Sequence, residues 1–278
     1  MVVFPNAKIN LGLQIKGKRT DGFHEISSLF LPVNLTDALE IIESSNISEK
    51  CSVEISGLFI DSPKHENLCC KAYTLLDDEF DLPPVNMYLH KVIPMGAGLG
   101  GGSSDGAFAL LLLNELFSLN LTKEVLKEKS SILGSDCSFF VENKPAIVTG
   151  RGENVKVINF PSLVKYTIVI VHPNIHVSTA DAYKSLKFPY SKNNLMDGID
   201  KEISEWSNLF QNDFETYVFK NYPKVKLIKE KMNELGAVYT SMTGSGSAIF
   251  GIFEKKISAS FEFPDMYTWE GELNHLIT

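Results

Sequence analysis

Pro94-Met95-Gly96-Ala97-Gly98-Leu99-Gly100-Gly101-Gly102-Ser103-Ser104-Asp105 decides the reading of this chain. Five of the seven residues from Gly96 to Gly102 are glycine, more than a structural turn requires, since each adds ordering entropy. Upstream, Val85 to Ile93 is rich in β-branched and aromatic residues and predicts a strand. Downstream, the apolar run from Ala107 to Leu113 predicts a buried helix reaching Leu119, with Ser103 or Ser104 as its N-cap. A glycine loop between a strand and a helix can turn its backbone N–H groups onto an anion, and the helix start adds partial positive charge. The stretch is expected to bind phosphate.

Two familiar phosphate loops do not fit. Gly96, Gly98 and Gly101 spell GxGxxG, but the dinucleotide fingerprint needs a second parallel strand after the helix. Here a second helical segment, Lys123 to Leu133 capped by Thr122, follows instead. The P-loop pattern fits as far as Gly101 and then has Gly102 where its lysine should stand. A lysine acting on these phosphates must come from elsewhere in the chain.

The N-terminal stretch offers one. From Lys8 to Ile15 polar and apolar residues alternate, predicting a half-buried strand with Lys8 and Asn10 on one face. That face is either simply solvated or lines a site that handles negative charge. Gly17 to Glu25 is a turn-rich connection, from which Phe23 and His24 lead into a strand expected from Ile26 to Val33. Further short strands are read at Asp37 to Glu43 and Cys51 to Ile55, and a helix at Asn67 to Phe80. Gly134-Ser135-Asp136 puts a carboxylate in a small-residue turn, either as a cap or poised at the end of a buried element. Gly150 to Glu153 is another turn, and the first domain is expected to finish near it.

In the second half, Tyr166 to Val171 predicts a buried strand broken by His172-Pro173-Asn174. A helix capped by Ser178 or Thr179 carries Tyr183. Ser191 to Asp200 reads as polar loop, Glu202 to Phe219 as helix, and Pro223 to Leu235 as an amphipathic helix stopped by Gly236. Thr243-Gly244-Ser245-Gly246-Ser247 is a second glycine-serine loop before the strand Ala248 to Phe253. It is either a tight hairpin or a close approach to a ligand or to the first loop.

The totals agree with an ordinary soluble globular protein. The chain has 278 residues, room for two modest domains. A net charge of −8 argues against general affinity for nucleic acid or anionic membranes. Cys51, Cys69, Cys70 and Cys137 form neither a zinc pattern nor a disulfide framework, so a cytoplasmic setting is expected, with Cys137 in the core. No apolar run is long enough to span a membrane.

Five pieces together resemble the GHMP kinase superfamily, which includes galactokinase and the homoserine, mevalonate and phosphomevalonate kinases. They are Ala7 to Leu11, Arg19 to His24, Pro94 to Ser104, Leu133 to Asp136 and Met242 to Gly246. The Asp21-Gly22-Phe23-His24 piece is similar to the branch whose substrate carries a cytidine diphosphate group. The resemblance implies an α+β, two-domain GHMP kinase fold: a ribosomal protein S5 domain 2-like N-terminal domain (1–155) and a ferredoxin-like C-terminal domain (156–278). It implies ATP, with Mg2+, on Pro94, Met95, Gly96, Ala97, Gly98, Leu99, Gly100, Gly101, Gly102, Ser103 and Ser104, and Lys8 and Asp136 as the catalytic pair. It also implies that His24 reads the cytosine, that Phe23 and Tyr183 pack against it, and that Asn10 and Thr179 touch the substrate. Phe23 stands where the family often has Tyr, Asp105 where Asn is usual, and Cys137-Ser138 where Val-Pro is usual. Another small-alcohol kinase of the superfamily, of homoserine or mevalonate type, or a non-catalytic nucleotide- or RNA-binding protein on the same fold, are the alternative readings.

Overall fold

The computed structural model describes residues 1–46, 49–59, 63, 66–186 and 194–273. In chain order the elements are β1 (Val2–Val3), β2 (Asn6–Lys18), β3 (His24–Thr36), β4 (Ala38–Glu43), β5 (Cys51–Gly57), α1 (Leu68–Phe80), β6 (Val85–Lys91), α2 (Gly101–Leu116), α3 (Lys123–Leu133) and α4 (Cys137–Glu142). They continue with β7 (Ala146–Gly150), β8 (Asn154–Val157), β9 (Thr167–His172), α5 (Thr179–Lys184), α6 (Trp206–Leu209), α7 (Glu215–Asn221), α8 (Pro223–Glu234), β10 (Tyr239–Met242), β11 (Ile249–Phe253), α9 (Ala259–Glu262) and β12 (Tyr267–Glu272).

These form two compact units. One comprises Met1–Ala7, Leu35–Met95 and Gly100–Asn143; the other comprises Lys8–Asn34, Gly96–Leu99 and the described part of Lys144–Thr278.

The first unit holds a sheet ordered β1-β4-β6-β5, in which β5 runs parallel to β6 and the other pairings are antiparallel. Strand β6 alternates cleanly: Val85, Met87, Leu89 and Lys91 are buried, while Tyr88 and His90 face out. The inward Lys91 finds two carboxylates, Asp37 and Asp105, and all three side chains are buried. Helix α2 packs on α1 and α4 and is buried along most of its length. It starts at Gly101, six residues before the apolar run. Its N-cap is Gly100 (φ +74°) with no side-chain cap bond, so Ser103 and Ser104 lie in the first turn and neither caps the helix. Asn67 and Thr122 do cap α1 and α3, accepting from the N–H groups of Cys69 and Val125.

The second unit holds two sheets, ordered β2-β3-β7-β8 and β10-β11-β9-β12. Its core joins Leu13, Ile15 and Ile26 to Val169, Val171, Val225, Ile228, Met232 and Phe253. Strand β2 is longer than the alternation suggests and buried on both faces from Asn6 to Ile15; it is not half-buried. Strand β9 extends one residue past Val171 to His172, which pairs with Tyr267, and ends there, before Pro173 and Asn174. The helix expected over Glu202 to Phe219 is interrupted between Leu209 and Glu215. There Gln211 and Asp213 exchange backbone bonds with Leu13 on β2, and strand-like pairing replaces helical pairing. Ser178, as expected, caps α5. Of the polar loop Ser191 to Asp200, residues 191–193 lie outside the described residues.

Candidate active site

In the second unit the site is built around Lys8. Its ammonium is buried and donates to the Asn10 Oδ1 at 2.7 Å and to the Gly98 carbonyl at 3.0 Å. It also stands 4.5 Å from the centre of the Phe30 ring, a cation–π distance. The pairing of Lys8 with Asn10 follows directly from the two-residue period of β2, which puts both on one face. Asn10 is a junction. Its Oδ1 also accepts from the Gly244 N–H at 2.8 Å and lies 3.0 Å from the Thr243 hydroxyl, while its Nδ2 donates to Ser28 at 2.8 Å.

The two glycine-rich loops touch. Leu99 accepts from the Lys8 N–H at 2.9 Å, and Ala97 accepts from the Ala248 N–H at 3.1 Å. Gly98 adopts φ +81°, and a Cβ there would lie 2.1 Å from the Thr243 carbonyl oxygen. No side chain fits, so the glycine is required by both backbone angle and space. The second loop is therefore at once a hairpin between β10 and β11 and a close neighbour of the first loop. Asn212, at the interruption before α7, braces it by donating to the carbonyls of Met242 and Gly244, each at 2.8 Å.

Of the other predicted substrate residues of this unit, His24 and Tyr183 come together, while Phe23 and Thr179 have partners of their own. His24 stacks on Tyr183, with ring centres 5.0 Å apart and planes 21° apart, and Tyr183 meets the edge of Phe214. Burial, and then the neighbouring Lys18, hold the His24 imidazole below the usual histidine range. Phe23 is exposed and carries the Arg151 guanidinium over its ring at 5.1 Å. The Thr179 hydroxyl is 2.8 Å from that of Ser245 on the second glycine loop.

In the first unit the start of α2 presents N–H groups that have no intrahelical partner, the first helical bond being Ser104 N–H to Gly100 at 2.9 Å. The Gly134-Ser135-Asp136 turn packs here: a Cβ on Gly134 would lie 4.0 Å from the Ser103 hydroxyl and 3.3 Å from the Cys137 sulfur. Asp136 sits at the position before α4, and its carboxylate makes no cap bond to that helix. Cys137 is buried, and burial pushes its thiol up to about 12, which fits a core residue and not a nucleophile. Asp105 points into the buried cluster with Lys91 (2.6 Å). Burial raises its carboxyl to about 7, against the pull of Lys91 and with the help of Asp37. Among the described residues no group of three or more His, Cys, Asp or Glu side chains could hold a metal.

Several residues of this arrangement were not singled out by sequence. Thr243 lay within a quoted motif but without a role. Ser28 and Asn212 carry no sequence signal, because their function is to bond backbone or amide groups brought close only by folding. His176 lies in the loop before α5, its Nδ1 3.1 Å from where a Cβ on Gly96 would stand.

The family signature of GHMP kinases N terminal domain matches residues 67–143, and that of GHMP kinases C terminal matches residues 195–262. A 4-diphosphocytidyl-2-C-methyl-D-erythritol kinase of Bacteroides fragilis is 46% identical over 275 residues, covering 98% of this chain and 100% of that one. A crystal structure of a 4-(cytidine 5'-diphospho)-2C-methyl-D-erythritol kinase superposes with a TM-score of 0.74 at 30% identity, covering 90% of this chain and 89% of that one. A homoserine kinase of Cytophaga hutchinsonii superposes with a TM-score of 0.72 at 17% identity, over 98% of this chain and 96% of that one, a likeness of fold alone. The α+β two-domain fold is that of these kinases, and with identity running the length of both sequences the chain belongs to the 4-diphosphocytidyl-2-C-methyl-D-erythritol kinase family of GHMP kinases.

Proposed function

We propose that this ATP-dependent kinase transfers the γ-phosphoryl group of ATP to the 2-hydroxyl of 4-diphosphocytidyl-2-C-methyl-D-erythritol, in the methylerythritol phosphate route to isoprenoid precursors. The observation that carries the reading is the buried Lys8 ammonium bonded to the Gly98 carbonyl of the glycine loop. A cation is thereby fixed to the loop whose N–H groups suit the β- and γ-phosphates. Phosphoryl transfer asks little else of a protein than such positioning and charge stabilisation.

In the step proposed, the substrate hydroxyl oxygen bonds to the γ-phosphorus as the bond from that phosphorus to ADP breaks. Asp136 accepts the hydroxyl proton. Lys8 offsets charge on the transferring oxygens. Mg2+ bound with the nucleotide would supply further neutralisation of the same charge. The loop Pro94, Met95, Gly96, Ala97, Gly98, Leu99, Gly100, Gly101, Gly102, Ser103 and Ser104 is the nucleotide site.

His24, Phe23 and Tyr183 recognise the cytosine. A neutral imidazole offers one donor and one acceptor, a pair that matches the edge of cytosine and that burial favours by holding His24 uncharged. Thr179 contacts the substrate, and Asn10 does so through the second N–H of its Nδ2, the first being given to Ser28. The two family signatures fall inside 1–155 and 156–278, which supports those spans as the N- and C-terminal kinase domains. Four free thiols, with no helix among the described residues long and apolar enough to cross a membrane, support a cytoplasmic enzyme that acts on a small molecule.

The test is ADP release with Mg-ATP and three acceptors: the cytidyl substrate, homoserine and mevalonate. Turnover with the cytidyl substrate alone is expected. Turnover with either of the others in its place would contradict the assignment of His24.

A further inference from the structure

Thr243 has no part in the transfer step, yet its hydroxyl lies where Lys8, Asn10 and the first glycine loop meet. Lys8 places its ammonium on two acceptors, the Asn10 Oδ1 and the Gly98 carbonyl. The Thr243 Oγ1 reaches both of those same acceptors, at 3.0 and 2.9 Å. It also accepts from the backbone N–H of Asn10 at 3.2 Å. A hydroxyl has one hydrogen and two lone pairs, so its single donation is shared between the two oxygens that hold the ammonium.

Thr243 is itself braced. It is buried, its N–H bonds to Ala248 at 3.0 Å, and Asn212 holds the carbonyls on either side of it. Its β-branch limits the side chain to few rotamers. A lysine on a four-carbon stem has no such restriction of its own. Beside the Phe30 ring, the two acceptors direct the Lys8 charge, and both of those acceptors are also reached by Thr243.

We propose that Thr243 is a positioning residue for phosphoryl transfer, aiming the Lys8 ammonium through the Asn10 amide and the Gly98 carbonyl. The proposal rests on the reading of Lys8 as catalytic. It follows that Thr243 matters to the rate of transfer more than to either ground-state affinity, because misplacement of a reacting or charge-stabilising group by about 1 Å costs on the order of a hundredfold.

The experiment uses the full chain with Thr243→Val and Thr243→Ser, each made alone and with Lys8→Met. Single-turnover rates are read at saturating ATP and cytidyl substrate, beside the KM for each. Thr243→Val should slow transfer by about ten- to a hundredfold with KM for the cytidyl substrate changed by less than about twofold. Thr243→Ser, which keeps the hydroxyl, should recover the rate to within about threefold. With Lys8→Met already present, Thr243→Val should cause no further loss, since the two changes disable one device. Should the valine variant fail to give a cooperative thermal melt, Thr243→Cys, whose thiol is a weak donor, carries the same comparison.

A wild-type rate in Thr243→Val would overturn the proposal. So would an equal loss in both backgrounds, which marks a structural effect independent of Lys8. A wild-type rate in Lys8→Met would remove the catalytic reading of Lys8 and this proposal with it. A slow Lys8→Met with multiplying losses removes this proposal alone.

Discussion

His24 is the residue on which substrate choice is expected to turn. Replacing it by Ala removes the ring stacked on Tyr183 and the two polar contacts to the base that we propose for it. The dissociation constant for the cytidyl substrate should rise about tenfold or more while that for ATP stays within about twofold, by calorimetric titration of each. Equal weakening of both would count against the assignment. The pH dependence has a definite sign. Because burial holds the imidazole below its ordinary value, it is neutral at pH 7 and gains a proton only on acidification. Protonation converts its acceptor nitrogen to a donor, so KM for the cytidyl substrate should rise as pH falls below the ordinary histidine range, and His24→Ala should flatten that rise. Gly98 makes a second residue-scale case. At φ +81°, with an oxygen 2.1 Å from any Cβ, Gly98→Ala must move one loop off the other. It should lower the melting temperature by several degrees and weaken ATP binding, read by thermal melts with and without nucleotide.

At the scale of elements, β6 and α2 meet over the buried Lys91, Asp37 and Asp105 cluster. Burial works against the Lys91 charge, and the two carboxylates outweigh it, leaving the amine above its ordinary value. Asp105 carries the cost: one of its oxygens, Oδ1, is buried with no hydrogen-bond partner among the described residues, and its carboxyl is raised to about 7. A carboxyl raised by folding binds more protons in the folded state. Its contribution to stability is therefore complete below the unfolded value of about 3.9 and is lost as pH rises through about 7. Asp105→Asn keeps a polar partner for Lys91 without that ionisation. The melting temperature of the wild-type chain should fall relative to Asp105→Asn between pH 5 and pH 8, and a constant difference would contradict the account. The loops and strands were legible where composition alone decides them: the five-glycine run, the β-branched and aromatic residues of β6 and the caps Thr122 and Ser178. Elements set by tertiary contact were not. The helix read over 202–219 breaks because Gln211 and Asp213 bond to β2, a partner about two hundred residues away in sequence that no local periodicity reveals. Similarly, β2 shows polar-apolar alternation, yet its polar side is buried because Lys8 and Asn10 are bonded to the glycine loops and are not solvated.

For the whole molecule, order of motifs mattered more than any one of them. The glycine loop taken alone also spells GxGxxG and part of a P-loop. Lys8, the Asp21-to-His24 piece, the loop, Asp136 and the Thr243 loop, in that order across the chain, fixed the kinase fold. The roles of Thr243, Ser28 and Asn212 could not be seen in sequence, since each is defined by what it bonds and not by what it is. With a net charge of −8, the anion handling we propose falls to a few placed groups, of which the buried Lys8 ammonium on the Gly98 carbonyl is the clearest. In the transfer we propose, Lys8 supplies charge and Asp136 takes the proton. The most direct test is the single-turnover rate of Asp136→Asn with saturating Mg-ATP and cytidyl substrate, beside its nucleotide affinity. The account predicts a fall of about a hundredfold to ten-thousandfold in rate with the ATP dissociation constant within about threefold of wild type. A rate within a few-fold of wild type would contradict it.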